Sequence, residues 1–201
     1  PARIYFHGNA KTDDELRMAL DAGIGTIIVD NEDELDRLEA LLEAGSLADE
    51  PARPQRLLLR VIPEVDARTH ASQATGGKHS KFGLPMDQAL RAIERMRAHP
   101  LMEFEGVHLH IGSQILNTEQ FAEAVAKIST AGEFDVYDVG GGLGVRYTFD
   151  EQAPSVEEYL DAVVAAAKRH LPAGARLLIE PGRALVARAG VSLYRVVSVK
   201  R

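Results

Sequence analysis

The stretch Leu177-Leu178-Ile179-Glu180-Pro181-Gly182-Arg183 ends an apolar run in a carboxylate, a rigid turn and a guanidinium. Leu177 to Ile179 reads as a short buried strand that Pro181-Gly182 stops sharply. Glu180 and Arg183 then lie at the strand's carboxyl end, where α/β sheets place their ligands. An acid and an Arg held by one turn suit a ligand that is cationic at one point and anionic at another. The same pair would also serve as a structural ion pair capping a strand, and two further stretches bear on the choice.

The first is Gly140-Gly141-Gly142-Leu143-Gly144, which follows the apolar Val136 to Val139. Consecutive glycines after a strand let backbone N–H groups approach an anion closely. The dinucleotide spacing G-x-G-x-x-G fails, because Val145 stands where glycine is needed, and no Gly-Lys-Ser/Thr follows. An anion cradle and a plain strand-end turn both remain open. The second is Val107-His108-Leu109-His110-Ile111-Gly112-Ser113-Gln114. His108 and His110 are two apart on one strand and share a face. A two-His metal site lacks an obvious carboxylate third ligand, and a buried structural histidine is the plain alternative for His108. His110 lies nearer the strand's carboxyl end, where it would touch ligand, and Ser113 offers a hydroxyl to a phosphate. Lys11 follows Gly8-Asn9-Ala10 and is a candidate to condense with a carbonyl. It stands beside Asp13 and Asp14, so a solvated lysine is the expectation. Lys78, His79 and Lys81 fall in a polar loop over 63–84, whose length suits a lid or binding loop.

The elements that must position these residues alternate. Strands are expected near 3–8, 26–30, 57–62, 104–112, 136–139 and 177–179. Helices are expected from Thr12 to about Ala22, Asn31 to about Ala44, Met86 to Ala98, Asn117 to about Ala131 and Ser155 to about His170. Thr12 with Glu15 and Ser155 with Glu158 have capping-box spacing. Apolar strands alternating with amphipathic helices predict an α/β fold with a parallel sheet covered by helices. Six units fall short of the eight that close a (β/α)8 barrel, so an incomplete TIM-type barrel is expected. The alternation in Val191 to Val199 reads as an antiparallel strand opening a β domain. Both ends read as cut, and the chain as a piece of a larger protein.

Composition bounds the function. The 201 residues are 45% hydrophobic and 26% charged, enough for a real core. Lys plus Arg total 23 against 30 Asp plus Glu, a net charge of −7 without a basic stripe, which argues against nucleic acid as the main partner. With no Cys there is no disulfide or thiolate site, and aromatics at 5% make single-strand stacking platforms a poor fit. No apolar run is long enough to span a bilayer, so a soluble cytoplasmic protein is expected.

Taken together, His7-Gly8-Asn9-Ala10-Lys11-Thr12, Val65 to His70 with Ser80-Lys81-Phe82-Gly83, His108 to Gln114, Gly140 to Gly144 and Glu180 to Arg183 resemble the fold-type III pyridoxal-phosphate-dependent decarboxylases. Gly-Gly-Gly-Leu-Gly and His-Ile-Gly-Ser-Gln resemble the branch that acts on diaminopimelate more than the ornithine-type branch. The resemblance implies pyridoxal 5'-phosphate as cofactor and an alanine racemase-like barrel, of which this chain carries about strands 3–8. It implies that residues 1–188 are a partial cofactor-binding barrel and 189–201 the first strand of a C-terminal β domain. His110 would stack on the pyridine ring. Ser113, Gly140, Gly141, Gly142, Pro181, Gly182 and Arg183 would surround the phosphate, and Glu180 would keep the ring nitrogen protonated. Arg183 would also bind a substrate carboxylate.

The family's cofactor-anchoring lysine lies on its first barrel strand in a Tyr-Ala-x-Lys context, which this sequence does not contain, so the chain alone is expected to be inactive. Ala10 also stands where the family has Asn. The implied reaction removes carbon dioxide from meso-2,6-diaminopimelate to give L-lysine, in a homodimer acting on a small amino acid. Decarboxylation of another basic amino acid or polyamine precursor, a non-catalytic cofactor-binding barrel, and a phosphosugar-binding barrel are the alternatives.

Overall fold

The computed structural model describes residues 1–45, 53–65 and 80–200. The order is β1 (Tyr5–Phe6), α1 (Asp13–Asp21), β2 (Thr26–Val29), α2 (Glu32–Gly45), β3 (Gln55–Arg60), α3 (Met86–Ala98), β4 (Met102–His108), α4 (Glu119–Ile128), β5 (Val136–Asp138), α5 (Val156–His170), β6 (Arg176–Leu178) and α6 (Gly182–Val186). All six strands are parallel and pair in chain order.

Both predicted capping boxes form. Thr12 Oγ1 accepts from Glu15 N while the Glu15 carboxylate accepts from Thr12 N, and Ser155 and Glu158 do the same for α5. These reciprocal bonds satisfy two of the donors that every helix start leaves open.

The sheet curls. Strands β1 and β6 are its two edges, and a flat sheet would hold them about 24 Å apart at the usual inter-strand spacing. Yet Arg176 Nη2 donates to the Tyr5 hydroxyl at 3.1 Å, and His7 Nε2 lies 2.5 Å from Glu180 Oε1. Side chains from the two edges thus meet across a concave inner face. The expected partial (β/α)8 barrel is the fold observed.

The period of two sorts the strands cleanly. Ile27, Val29, Leu57, Leu59, Val107 and Tyr137 face outward into one large core with the helices, where Phe121 and Tyr159 pack edge to face at 4.8 Å. The inner face holds only a thin apolar band of Tyr5, Ile28, Leu58, Val136 and Leu178. Gly106 completes that band on β4. A Cβ there would meet Val136 O at 1.9 Å, so only glycine permits this strand spacing.

Several element boundaries differ from expectation by a few residues. Strand β4 ends at His108 rather than Gly112, because its neighbour β5 is three residues long and the pairing stops at His108 opposite Asp138. The short helix α6 was not expected, and it starts at the Pro-Gly turn itself. Residues 190–200 carry no helix or strand, and Val191, Leu193, Tyr194, Val197 and Val199 are exposed. Most of the expected binding loop over 63–84, with Lys78 and His79, lies outside the described residues.

Candidate active site

Each strand delivers one ionisable side chain to the same rim. Two residues beyond each member of the inner apolar band come His7, Asp30, Arg60, His108, Asp138 and Glu180, in strand order. Because alternate residues share a face, these six point into the barrel just above its apolar floor. Among them, one polar atom from each of His7, His108, Asp138 and Glu180 lies within 4.8 Å of the other three.

Glu180 is central. Its Oε1 takes the His7 Nε2 bond, and its Oε2 lies 3.7 Å from His108 Nε2, too long for a hydrogen bond. Burial alone would push this acid up, but the neighbouring histidines, His7 through a short bond, hold it well below the ordinary carboxylate range. Asp138 shows the reverse. Burial first, and then the charge of Glu180, push it up to about 8, while the Gly140 N–H bond to Oδ1 at 2.9 Å works the other way. The two acids therefore hold one proton and one negative charge between them at neutral pH. His108 is fully buried, and that burial takes it down to about 4, so it is a neutral ring packed edge-on against His7 at 4.8 Å.

His110 lies two residues beyond β4 and is also lowered, by burial and then by the charge of Arg60. Its Nδ1 accepts from Gly141 N at 3.2 Å, which places the proton of the neutral ring on Nε2. Arg60 stands over the Phe82 ring at 4.6 Å and reaches to 3.6 Å from Asp30 Oδ1.

A cavity of about 430 Å3 opens on this rim, lined by His110, Ser113, Gly142, Glu180, Gly182 and Arg183, with Tyr147, Val186 and Ala187. Six residues singled out in the sequence thus converge. Gly140, Gly141 and Pro181 stand behind that wall instead. The N–H groups of Gly140 and Gly141 are spent on Asp138 and His110. A Cβ on Gly140 would lie 2.3 Å from Leu109 O, and its φ of +66° lies in the left-handed region. The loops after β4, β5 and β6 close on one another here, which is what the glycines permit. Arg183 Nη1 donates to the Tyr147 hydroxyl at 2.5 Å, and its buried Nε has no hydrogen-bond partner among the described residues.

Lys11 corrects an expectation. It is not solvated but 3% exposed, donating to Gly8 O, Ile28 O and Glu34 Oε1 at 2.8, 2.8 and 2.6 Å. Burial lowers Lys11 and raises Glu34, and their mutual attraction opposes both shifts. With its amine held by three acceptors under the rim, Lys11 is a structural residue. Among the described residues no lysine lines the cavity. Sequence reasoning gave no site role to His7, Asp30, Arg60, Asp138 or Tyr147. The usable signal for the first four was the step of two from an inward apolar strand residue.

The groups present fit a flat, anionic, nitrogen-containing cofactor. An ionised acid, a neutral ring and an Arg with an orphaned N–H share one cavity of ligand size. This barrel and this rim define a class. The family described as pyridoxal-dependent decarboxylase, pyridoxal binding domain matches residues 1–187, and the chain belongs to it. Its cofactor is pyridoxal 5'-phosphate.

Within that family the chain is similar to the diaminopimelate decarboxylases. It is 41% identical to that of Bacillus subtilis over 217 residues, 98% of this chain and 47% of the relative. It is 40% identical to that of Zymomonas mobilis over 209 residues, 100% of this chain and 48% of the relative. The Helicobacter pylori diaminopimelate decarboxylase crystallised with L-lysine superposes with a TM-score of 0.83 at 30% identity, over 93% of this chain and 47% of that one. The chain spans about half the length of the curated relatives it matches.

Proposed function

We propose that this chain forms the cofactor-binding part of an enzyme that decarboxylates meso-2,6-diaminopimelate to L-lysine and carbon dioxide. The observation that carries it is Glu180, ionised and facing the same cavity as His110 and Arg183. Pyridoxal phosphate, when bound, supplies an electron sink for the pair left on Cα as carbon dioxide departs. Glu180 would accept the pyridine N–H, and its negative charge would keep that proton in place. His110, neutral and flat, forms a wall for the ring. Ser113, Gly142 and the Gly182-Arg183 turn would receive the phosphate, and the planar guanidinium of Arg183 suits a carboxylate of the substrate.

The same reading takes residues 1–188 as the cofactor-binding barrel and 189–201 as the start of a β domain. It takes the intact enzyme as a cytoplasmic homodimer whose anchoring lysine comes from outside the residues seen at this cavity. The relatives named for diaminopimelate, and the neighbour crystallised with L-lysine, support the choice of substrate. Among the described residues no helix is long and apolar enough to cross a membrane.

The test is carbon dioxide release and the cofactor absorbance band of the intact enzyme. Release from meso-diaminopimelate in preference to ornithine, arginine and lysine is expected. Intact protein that binds the cofactor yet releases none from any basic amino acid would overturn the reading.

A further inference from the structure

We propose that His7 is a positioning residue: through its contact with one carboxylate oxygen it fixes Glu180 where that acid lines the cavity. The part played by the ligand rests on the function proposed above; the effect on Glu180 does not.

The geometry comes from the two edges of the sheet. His7 follows β1 and Glu180 follows β6, 173 residues apart, and their 2.5 Å contact bridges the concave face. A carboxylate at that distance accepts, so the proton sits on His7 Nε2. Oε1 is thereby committed, whereas Oε2 lies 3.7 Å from His108 Nε2, and the protonated Asp138 carboxyl also acts on Glu180. His108, 1% exposed and with no hydrogen-bond partner on either ring nitrogen among the described residues, packs edge-on against the His7 ring and limits its rotation.

The other ionisable groups that act on Glu180 or feel its charge are Arg60 from β3, His110 beyond β4, Asp138 from β5 and Tyr159 from α5. Asp138 stays protonated next to Glu180, so the rim there presents a single charge rather than two. Arg60 adds positive potential from across the barrel. A bridge that merely closed the curl would contribute to stability and leave the titration of Glu180 to its burial. His7 as a positioning residue has a different signature, because removing its N–H takes away one of the two histidines that offset the burial of Glu180.

The experiment is carboxylate 13C NMR on the chain itself, titrated without cofactor. In the wild type Glu180 should remain ionised down to the acid limit of folding. In His7→Leu its midpoint should rise by about one pH unit or more. His7→Gln, whose side-chain amide can donate to the same oxygen, should restore most of the shift.

Should His7→Leu fail to fold, 15N spectra of wild-type imidazoles decide instead. They should show His7 protonated at Nε2 at pH 8, and that signature should vanish in Glu180→Gln. An unmoved Glu180 midpoint in folded His7→Leu, a Gln variant indistinguishable from Leu, or an unprotonated His7 Nε2 would each overturn the proposal. Pyridoxal phosphate affinity, measured separately on the same proteins, keeps the two claims apart. A His7-dependent Glu180 in a chain that does not bind the cofactor supports this proposal and counts against the proposed function.

Discussion

Two short nitrogen–carboxylate pairs sit at the strand ends of this barrel, nearly equal in length and opposite in consequence. Lys11 and Glu34 meet at 2.6 Å with side chains 1% and 0% exposed. His7 and Glu180 meet at 2.5 Å with side chains 33% and 32% exposed. Lys11 has two backbone carbonyls besides its acid, so its three protons are matched and nothing remains to bind a ligand. Glu180, only part-buried, lines a cavity instead. The difference teaches that burial depth and the number of competing acceptors, rather than the ion pair as such, separate a structural pair from a working one.

Several variants would break or sharpen that comparison, beginning with the largest effect. Lys11→Met strands a fully buried carboxylate whose Oε2 already lacks a hydrogen-bond partner among the described residues. It should cost about 3–5 kcal/mol in urea unfolding. Lys11→Met combined with Glu34→Leu should recover most of that loss, because the stranded charge goes with it.

Glu180→Gln should do the opposite, moving stability by about 1 kcal/mol or less, since its pair is part-exposed. Decarboxylation by the intact enzyme should fall about a hundredfold, corresponding to about 3 kcal/mol of lost transition-state stabilisation.

Asp138→Asn should change the pH dependence of stability. The folded state keeps the Asp138 proton up to about 8, whereas an ordinary Asp has lost it by about 4, so wild-type stability drains as pH rises through that window. The Asn variant should gain on the wild type progressively from pH 5 to pH 8 in urea midpoints. His108, lowered to about 4, acts with the opposite sign, its contribution being lost as pH falls from 6.5 toward 4. Asp138→Asn should leave that acid-side loss in place.

Ser155→Ala, far from the rim, should cost about 1 kcal/mol by removing the α5 cap and leave cofactor affinity unchanged.

Local signals were the most legible. The capping boxes at Thr12 and Ser155 appear as predicted, as does the full extent of α3, because the bonds that define these features join residues a few positions apart. Lys11 was misread for the same reason. Asp13 and Asp14 stand beside it in the chain, whereas Glu34, its actual partner, is 23 residues away. The rim was half legible. His110, Ser113, Gly142, Glu180, Gly182 and Arg183 share a cavity, as their types and strand-end positions suggested. Asp30 and Arg60 looked like ordinary charged residues at the ends of apolar runs, and nothing local marked them as facing inward.

The sequence by itself determined the alternation of strands and helices, the apolar floor at every second position, and the acid–arginine turn that ends β6. These follow from backbone periodicity and steric limits that act within a few residues. Tertiary structure alone decided that the two sheet edges come close enough for His7 to reach Glu180, that Asp138 keeps its proton while Glu180 gives one up, and that Lys11 points into the protein. Those outcomes depend on curvature, burial and charge spacing among residues up to 173 positions apart, where short-range sequence patterns carry no information.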